Sequence, residues 1–579
     1  MKKTQFKFNI KKRILPVLLV SVLTPLILFV AIPFEIFANN MDEFLFSLSS
    51  FYPYCILFGF LLAAGIAGAL LFLPEKAYRI CYALVLALSF LFFLQGTFLN
   101  FGADSLDGNN LGTNNVHIGL KILDAFIWLA VLGAAVALAL IKDKKGIFAI
   151  VAVILSIVVV ATQIITPVAS TVKHPDVFMS RTERLKKENP DFNDKVLTDE
   201  KLTAVASGRN VIFFCVDQFD EYYAQTALDL NPDIYDGLDG FTWFRDNLSL
   251  FGHTFPSIAY MLSEKPYDMK ESLRKDYLDN VYKDNRTLSV LYENGYSVNL
   301  YTQPYYVYNA ADTLPDYVEN ISDSKQYKTT RPAKLTDSIL STAAYRCLPL
   351  FIKDLVNDVE SCEFNECVAT LGENGYYSYN CENQSVLENV IGAEFGDKGE
   401  KNFSFIHIEG CHDVCPDYTK PVPEKKRRKT AASVKRSFSI INEYLNALKE
   451  KGLYKDATII ITGDHPNTAR DFVRIPKLDA LFFKRSGESG TEIKQSYAPV
   501  AHENIWPAIF QSEKIERENN GTGLYEIAEY DPTRERKYIW QTYDTKECFE
   551  YVYTITGPGT NFDNWKLVDS AHYNRFIMT

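Results

Sequence analysis

The feature that most limits what this chain can fold into is a series of long apolar segments before Pro167. Five of them approach the roughly 20 residues that an α-helix needs to cross a bilayer. They cover about residues 14–37, 50–73, 78–101, 119–141 and 146–167. The first is too long, and too closely followed by another, to be only a cleaved signal peptide. The sequence therefore predicts a five-helix transmembrane domain over residues 1–167.

The charges of the connecting loops predict the orientation of these spans. Lys and Arg cluster before the first span, between the second and third, and between the fourth and fifth, whereas loops 38–49 and 102–118 contain neither. By the positive-inside rule the N-terminus is cytoplasmic, and an odd number of spans delivers the rest of the chain to the outer face. The net charge of −11 argues against a nucleic-acid partner.

The part after the spans changes from membrane-like to globular. Residues 168–208 are typical of a juxtamembrane helix and linker, and residues 209–512 alternate short apolar runs with helical stretches. Runs such as NVIFFCVD, FSFIHIEGCHD and ATIIITGDHP are typical of strands that are covered on both faces of a parallel sheet. The tail over 513–579, rich in Tyr, Thr and Trp, is predicted to form strands at the edge of that sheet.

Polar side chains follow these strands, where open α/β sheets place their active sites. Asp217, Asp464 and His465, together with Thr254, offer two carboxylates, an imidazole and a hydroxyl, a set suited to Mn²⁺ or Zn²⁺. Coordination would lower the pKa of the threonine hydroxyl, and Pro256 places Thr254 at a helix N-terminus that favours negative charge. Taken singly, a strand-terminal Asp is commonly a turn residue, and Thr before x-Pro is commonly a plain N-cap. It is the set that favours a metal site.

These motifs resemble those of the alkaline phosphatase and sulfatase superfamily, and specifically its membrane-anchored branch of lipoteichoic acid synthases and phosphoethanolamine transferases. The resemblance covers about residues 1–512. It implies an extracytoplasmic α/β domain with a mainly parallel sheet flanked by helices. It also implies the four metal ligands named above, with Thr254, in HTFPSIAYMLS, as the nucleophile and His412, in FIHIEGCHD, as a substrate-binding residue.

Several positions depart from the family pattern or stay open. Pro466 replaces the usual Gly, Glu503 and Asn504 stand where Asp-Leu is expected, and Asp217 occupies a position that is often Glu in this branch. Further candidates for the metal or phosphate site are Glu409, Asp413 and His502. A lone His before a helix is more often exposed, and His253 is expected to point away from Thr254. The basic run EKKRRK, Glu424 to Lys429, either attracts anionic lipid or phosphorylated glycan or is a solvated surface.

The resemblance implies a cell-surface phosphotransferase. Such an enzyme moves phosphoglycerol or phosphoethanolamine from a membrane phospholipid to a surface glycan or glycolipid through a phospho-threonine. It would be a multi-pass protein of a bacterial-type plasma or inner membrane. An extracytoplasmic phosphodiesterase and a non-catalytic lipid- or partner-binding protein of the same fold remain alternatives. Sulfatase activity is disfavoured, because the sequence from Thr254 to Ile258 lacks both the Cys or Ser that sulfatases convert to formylglycine and the arginine of their motif.

Overall fold

The protein is described by a computed structural model that divides into two compact units. One comprises Met1–Phe192 and Gln326–Thr370, and the other comprises Asn193–Lys325 and Leu371–Thr579. The structure describes residues 10–41, 44–100, 116–141, 147–188, 195–268, 273–282, 285–307, 314, 317–353, 364, 367–412, 420–467, 475–543 and 548–573. The domain boundaries predicted from the sequence stay predictions, but segment 326–370, which lies inside the predicted 209–512 domain, groups with the apolar N-terminal helices.

Seventeen α-helices form within the described residues. They are α1 (Ile10–Ser21), α2 (Leu23–Pro25), α3 (Ile32–Asn39), α4 (Tyr52–Phe72), α5 (Glu75–Leu94), α6 (Ile118–Leu140), α7 (Ile147–Lys173), α8 (Arg181–Glu188), α9 (Glu221–Leu230), α10 (Thr254–Ser263), α11 (Asp279–Val281), α12 (Arg286–Glu293), α13 (Pro332–Cys347), α14 (Leu350–Lys353), α15 (Asn383–Val390), α16 (Glu424–Glu450) and α17 (Ile505–Glu513).

The same described ranges contain sixteen β-strands. They are β1 (Lys195–Leu197), β2 (Ala204–Val205), β3 (Arg209–Val216), β4 (Thr242–Leu248), β5 (Ser297–Tyr301), β6 (Ile321–Thr329), β7 (Val368–Gly372), β8 (Gly396–Asp397), β9 (Lys401–Ile408), β10 (Thr458–Gly463), β11 (Asp479–Lys484), β12 (Lys494–Ser496), β13 (Val500–Ala501), β14 (Glu535–Tyr543), β15 (Cys548–Thr556) and β16 (Trp565–Tyr573).

Among the residues that the structure describes, the first unit contains five helical stretches that are long and apolar enough to cross a membrane. They are Lys12–Asn39, Tyr52–Phe72, Glu75–Leu99, Ile118–Leu140 and Ile150–Lys173. Large apolar side chains on them are exposed, for example Phe60, Leu129 and Ile157, as expected of helices whose outer faces contact lipid rather than water. The five predicted apolar spans are therefore confirmed as helices, although the last continues through Pro167 instead of ending there.

Segment 326–370 packs within the first unit through one face of α13. Leu335, Ile339, Ala343 and Cys347, which recur every fourth residue, are fully buried in the same core as residues of α1 and α3. Polar contacts accompany this apolar face. The carboxylate of Asp124, in α6, accepts a hydrogen bond from the backbone N–H of Leu350 (2.8 Å) and is fully buried. An acid on such an apolar helix is expected to have a partner of this kind.

The second unit is built on an eight-stranded sheet with strand order β12-β4-β11-β10-β3-β9-β5, in which β13 also pairs with β4. The adjacent strands β10, β3, β9 and β5 are parallel, whereas β11 runs antiparallel to both β10 and β4. The sheet is thus mixed and mostly parallel, in agreement with the predicted fold class. Helices cover both faces: α9, α15 and α16 contribute to one buried cluster, and α10, α12 and α17 to the other.

The tail forms a separate antiparallel sheet of β14, β15 and β16. Its apolar residues, such as Tyr538 and Ile555, share a small core with Leu248 at the end of β4. The buried guanidinium of Arg536 contacts the carboxylate of Asp246 at 3.0 Å. These contacts hold the tail beside the loop that follows β4, which carries Thr254.

Candidate metal centre and active site

The register of the central strands places three strand ends at one edge of the sheet. Val216 at the end of β3 pairs with Ile408 of β9 on one side and with Gly463 of β10 on the other. Asp217 and Asp464 each follow directly after the paired residue. Because parallel strands end at the same edge, the two carboxylates lie next to one another at the C-terminal edge of the sheet.

The turn after β3 fixes the orientation of Asp464. Gln218 adopts a left-handed backbone conformation, with φ of 56°, and its N–H donates to Oδ1 of Asp464 at 2.9 Å. The N–H of His465 donates to the same oxygen at 2.9 Å. Oδ2 of Asp464 is buried and has no hydrogen-bond partner among the described residues. The carboxylate is therefore held by one oxygen, and its second oxygen is available to a cation.

A glycine at the end of β9 allows close contact with the backbone of Asp217. Gly410 has φ of +64°, and a Cβ at this position would lie 2.6 Å from the carbonyl oxygen of Asp217 and 2.8 Å from its nitrogen. The N–H of Cys411 donates to the same carbonyl at 2.9 Å. Only glycine combines this conformation with this proximity. The loop that leads to His412 is thus joined directly to the first candidate ligand.

Thr254 is the first residue of α10, so its hydroxyl lies at the positive end of a ten-residue helix. Its Oγ1 lies 3.1 Å from Nε2 of His465 and 3.5 Å from Oδ2 of Asp217. Nδ1 of His465 lies 2.8 Å from the carbonyl oxygen of Pro466, which can only accept a hydrogen bond. Nδ1 therefore carries the proton, and Nε2 directs its lone pair towards Thr254.

The structure brings together the four residues predicted from the sequence as metal ligands. Nε2 of His465 lies 3.7 Å from Oδ1 of Asp217 and 3.5 Å from Oδ2 of Asp464. All but Thr254 are buried, and Thr254 is half-buried. The arrangement combines a hydroxyl that is accessible to substrate with ligand atoms that are shielded from water.

A fifth residue, His407, joins this cluster and was missed in the sequence. Ligand atoms of Asp217, His407 and Asp464 all lie within 4.8 Å of one another, and all three side chains are buried. Nε2 of His407 is 3.9 Å from Oδ2 of Asp217, and Nδ1 is 3.3 Å from the hydroxyl of Thr302. Burial lowers the pKa of His407 to about 4, so the ring is neutral at physiological pH and can donate a lone pair. A histidine inside the mostly apolar run FSFIHI was the available signal.

The cluster fits a divalent cation. Two buried carboxylates side by side are unfavourable without a compensating positive charge. The free Oδ2 of Asp464 lies 3.5 Å from Nε2 of His465, and ligand atoms of Asp217, His407 and Asp464 lie within 4.8 Å of one another. Carboxylate oxygen and imidazole nitrogen are the usual ligands of Zn²⁺ and of related transition metals.

The remaining candidates occupy different positions. His412 is exposed, and its backbone N–H donates a hydrogen bond to the backbone carbonyl oxygen of Glu409 at 3.3 Å. The side chain of Glu409 accepts a hydrogen bond from the N–H of Asn383 at 3.2 Å, so it interacts with the start of α15. Asp413 lies outside the described residues. The structure therefore places His412 on the loop beyond Gly410 but does not place Glu409 among the metal ligands.

Two further histidines lie close to the cluster. His502 is buried, contrary to the expectation of an exposed residue, with Nε2 3.6 Å from Oδ2 of Asp479; burial lowers its pKa to about 4. The ring of His253 bonds to the backbone carbonyl of Gln541 in β14, and its centroid is 6.2 Å from that of His465. His253, which directly precedes Thr254, therefore contacts the C-terminal sheet.

Residues 230–471 match the family model described as Sulfatase, a range that includes Thr254, His407, Asp464 and His465. This part of the chain is therefore similar to sulfatase domains. The search of curated proteins found no match. Asp217 precedes the matched range, although it lies beside Asp464 in the structure.

Solved structures similar to this chain have low sequence identity to it. Ps i-CgsB in complex with k-i-k-neocarrahexaose is 13% identical over 60% of this chain and 82% of its own, with a TM-score of 0.39. An alkaline phosphatase superfamily protein from Vibrio parahaemolyticus is 11% identical over 65% and 85%, with a TM-score of 0.35. The lipoteichoic acid synthase LtaP from Listeria monocytogenes is 12% identical over 64% and 86%, with a TM-score of 0.35.

The geometry around Thr254 suits transfer of a charged group to and from its hydroxyl. The hydroxyl has a carboxylate and an imidazole within 3.5 Å, and it lies at a helix N-terminus that favours an approaching anion. A bound divalent ion would neutralise the negative charge that develops on the transferred group. The site therefore has the components of nucleophilic catalysis on a phosphate or sulfate ester.

Proposed function

We propose that this protein is a metal-dependent cell-surface phosphotransferase. It takes phosphoglycerol or phosphoethanolamine from a membrane phospholipid and passes it to a surface glycan or glycolipid. The observation that carries the proposal is the hydroxyl of Thr254, 3.1 Å from Nε2 of His465 and 3.5 Å from Oδ2 of Asp217, on a chain with five apolar helices. A lipid donor suits an enzyme that is itself anchored in the bilayer.

The transfer takes place in two displacements at phosphorus. Oγ1 of Thr254 attacks the phosphodiester, a new O–P bond forms, and the bond to diacylglycerol breaks; diacylglycerol leaves as an alcohol with the proton that the threonine lost. A hydroxyl of the acceptor then attacks the phospho-threonine, the Thr254 O–P bond breaks, and the acceptor's proton returns to Thr254. His412, on the adjacent exposed loop, holds the phosphoryl oxygens or assists the proton transfers.

The residues that would hold a divalent ion, Mn²⁺ or Zn²⁺, are Asp217, Thr254, Asp464 and His465, with His407 beside them. When bound, the ion lowers the pKa of the threonine hydroxyl and neutralises charge on the phosphoryl group. The protein's own contribution is to hold the ligand side chains in position. Gln218 and Gly410 fix the two carboxylates through the backbone, and Pro466 fixes the tautomer of His465.

Phosphoryl transfer is favoured over sulfate-ester hydrolysis by the identity of the nucleophile. The family name Sulfatase describes the domain that the sequence matches. A threonine cannot become formylglycine, and Ile258 stands where sulfatases carry an arginine. Hydrolysis of phosphodiesters differs only in the second step, with water in place of the glycan hydroxyl. A non-catalytic binder of lipid has no need of a nucleophile held beside a metal site.

We also propose that the catalytic domain lies on the outer side of the membrane. The five apolar helices, with their Lys- and Arg-rich alternate loops, support a cytoplasmic N-terminus and a catalytic domain on the outer face of a bacterial-type membrane. Both the donor lipid and the acceptor glycan would be accessible there. Labelling of an introduced surface cysteine with an impermeant reagent, in intact cells, tests this orientation.

The activity is tested by following a head-group label. Full-length protein in mixed micelles receives phosphatidylglycerol or phosphatidylethanolamine labelled in the head group, with Mn²⁺ or Zn²⁺, with and without a glycolipid acceptor. Thr254→Ala and Thr254→Ser serve as matched variants, and an aryl sulfate is offered in parallel.

Diacylglycerol release that requires Thr254, with the label appearing on the acceptor, is the expected result. Label appearing only as free glycerol phosphate or phosphoethanolamine, even with acceptor present, would identify a hydrolase. Turnover of the aryl sulfate alone would overturn the proposal.

A further inference from the structure

Segment 326–370 lies inside the predicted catalytic domain, yet it packs with the apolar helices. The chain leaves the second unit at Lys325 and re-enters it at Leu371. From the end of α13 into α14 runs the sequence LPLFI, Leu348 to Ile352, whose side chains are all apolar. We call these five residues the LPLFI turn. The proposed reaction makes no use of them.

The residues at the turn contact three spans at the same end. Arg346 pairs with Glu35 (3.2 Å), close to the end of the first span, and its Nε donates to the carbonyl oxygen of Gly96 (3.0 Å), close to the end of the third. The N–H of Leu350 donates to Asp124, close to the start of the fourth. Because successive spans alternate in direction, all three ends lie on the side of the loops without Lys or Arg, which is the predicted outer side.

The position of Asp124 indicates how deep the turn lies. Asp124 is six residues from Ile118, the first residue of α6, which is about 9 Å along the helix axis. The 23 residues of α6 extend over about 35 Å, against about 30 Å for the hydrocarbon core of a bilayer. The backbone of Asp124 thus lies about 6 Å inside that core. Its side chain tilts back towards the start of α6, which brings the bonded N–H of Leu350 to the outer boundary of the hydrocarbon.

Backbone polar groups beside the turn have partners within the same unit. The buried ammonium of Lys353 donates to the carbonyl oxygens of Tyr345 (2.7 Å) and Arg346 (3.3 Å), at the end of α13. The side-chain amide of Asn100 also donates to the carbonyl oxygen of Arg346, at 3.3 Å. Carbonyls at a helix end are often left to water, but among lipid they need an internal partner. The contacts at the end of α13 therefore suit a turn that is surrounded by lipid.

The exposed side chains of the turn adjoin the lipid-facing surface of α6. Phe351 is 50% exposed, although the residue before it is bonded to Asp124. On α6 itself, Ile122 and Phe126, two residues to either side of Asp124, are 64% and 67% exposed. At this depth an apolar ring is stable in contact with acyl chains and unfavourable in contact with water. Lipid is the one occupant that covers both surfaces.

We propose that the LPLFI turn inserts into the outer leaflet of the bilayer, where acyl chains of phospholipids cover Phe351. The predicted catalytic domain thereby has a lipid contact of its own, separate from the five spans. This inference rests on the proposed membrane anchorage and not on the reaction, since it holds equally for a transferase and a hydrolase. A protein partner fits less well, because the exposed surface is continuous with that of a lipid-facing helix.

Photocrosslinking tests this contact. Full-length protein carries p-benzoylphenylalanine in place of Phe351, Phe126 or Tyr292, one at a time, and is reconstituted into phosphatidylcholine vesicles, illuminated and digested. The excited ketone inserts into a neighbouring C–H bond, so a lipid contact gives a peptide whose mass has increased by that of phosphatidylcholine. Phe126 is the positive control on α6. Tyr292, which is 51% exposed in the second unit, is the negative control.

We expect phosphatidylcholine adducts at Phe351 and at Phe126. Transfer of half a phenylalanine side chain from water to lipid favours the contact about fivefold, so the yield at Phe351 should exceed that at Tyr292 by at least that factor. An adduct at Phe126 with none at Phe351 would overturn the inference alone. So would a crosslink from Phe351 to the second unit or to a second copy of the chain. If Phe126 also forms no adduct, the membrane anchorage fails and the inference fails with it.

Fluorescence quenching measures the depth of the turn independently. The emission added by Phe351→Trp, relative to the unmodified protein, is compared in vesicles that carry a nitroxide near the head of the acyl chain or near its end. Stronger quenching by the shallow nitroxide is expected. Stronger quenching by the deep nitroxide, or quenching by aqueous iodide alone, would overturn the inference. Neither measurement involves turnover, so failure of the phosphotransferase proposal would leave both results unchanged.

Discussion

Replacing Gly410 by alanine tests how the candidate metal centre is held together. At this position the backbone has φ of +64°, and the added Cβ would lie 2.6 Å from the carbonyl oxygen of Asp217. Gly392 supplies a matched control, because its φ is +65° and a Cβ there has nothing within 4 Å. Both substitutions impose the same backbone strain, but only Gly410→Ala also displaces Asp217.

The magnitudes follow from these distances. Alanine in the left-handed region costs about 1–2 kcal/mol, which is the whole effect expected for Gly392→Ala. Ordinary contact begins at 3.4 Å, so Gly410→Ala must move the Asp217 backbone by 3.4 minus 2.6, about 0.8 Å. Such overpacking adds about 1–3 kcal/mol. A shift of this size should also weaken metal binding by about ten- to a hundredfold, as loss of a supporting contact does at other metal sites.

The assay is competition for Mn²⁺ or Zn²⁺ between the purified full-length protein and a chelator of known affinity. The apparent unfolding temperature is recorded alongside. We expect both variants to unfold at lower temperature and only Gly410→Ala to lose metal affinity. Equal metal affinity in the two variants would refute the idea that Asp217 is a ligand positioned through Gly410.

Three further predictions concern other buried groups. His407→Gln should weaken metal binding about tenfold or more in the same chelator competition, and unchanged affinity would exclude His407 as a ligand. Arg536→Met leaves the carboxylate of Asp246 buried beside an apolar group, so it should lower the free energy of unfolding by about 3–5 kcal/mol. Arg534→Met serves as the control, because the ion pair of Arg534 with Glu503 is more exposed. It should change the free energy of unfolding by about 0–1 kcal/mol. Burial lowers the pKa of His502 from 6.5 to about 4, so the folded state rejects a proton that the unfolded state takes up. The difference in pKa contributes about 3 kcal/mol to the free energy of unfolding above pH 6.5, and this contribution is lost as pH falls towards 4. The unfolding temperature of His502→Gln should therefore depend less on pH over that range than that of the unmodified protein. An identical pH dependence in the two proteins would contradict a lowered pKa of His502.

Much of the site could be predicted from the sequence because its chemistry follows local patterns. Uninterrupted apolar runs identified β3, β9 and β10, and parallel strands must end at one edge, so Asp217 and Asp464 were expected to meet. The Thr-x-Pro pattern marked the start of α10. In these cases the position of a residue at the end of its strand or the start of its helix was enough to predict where its side chain lies.

The parts that were missed depend on contacts between distant segments. The histidine within FSFIHI was a local signal, but only the register that pairs Cys215 with His407 shows that His407 joins the cluster. Burial of His502 against Asp479 likewise depends on how the turn before α17 packs on the sheet. Segment 326–370 contains an ordinary amphipathic helix, and its apolar face does not say which core it joins. Apolar periodicity predicts burial, but it leaves the partner open.

The central claim is that Thr254 becomes phosphorylated by the lipid head group, and peptide-level mass spectrometry tests it most directly. Full-length protein is incubated with phosphatidylglycerol or phosphatidylethanolamine and Mn²⁺ or Zn²⁺, quenched in acid and digested. The account predicts a phosphoglycerol or phosphoethanolamine adduct on the Thr254 side chain, absent from Thr254→Ala. An adduct on a different residue, or one that persists in Thr254→Ala, would contradict it.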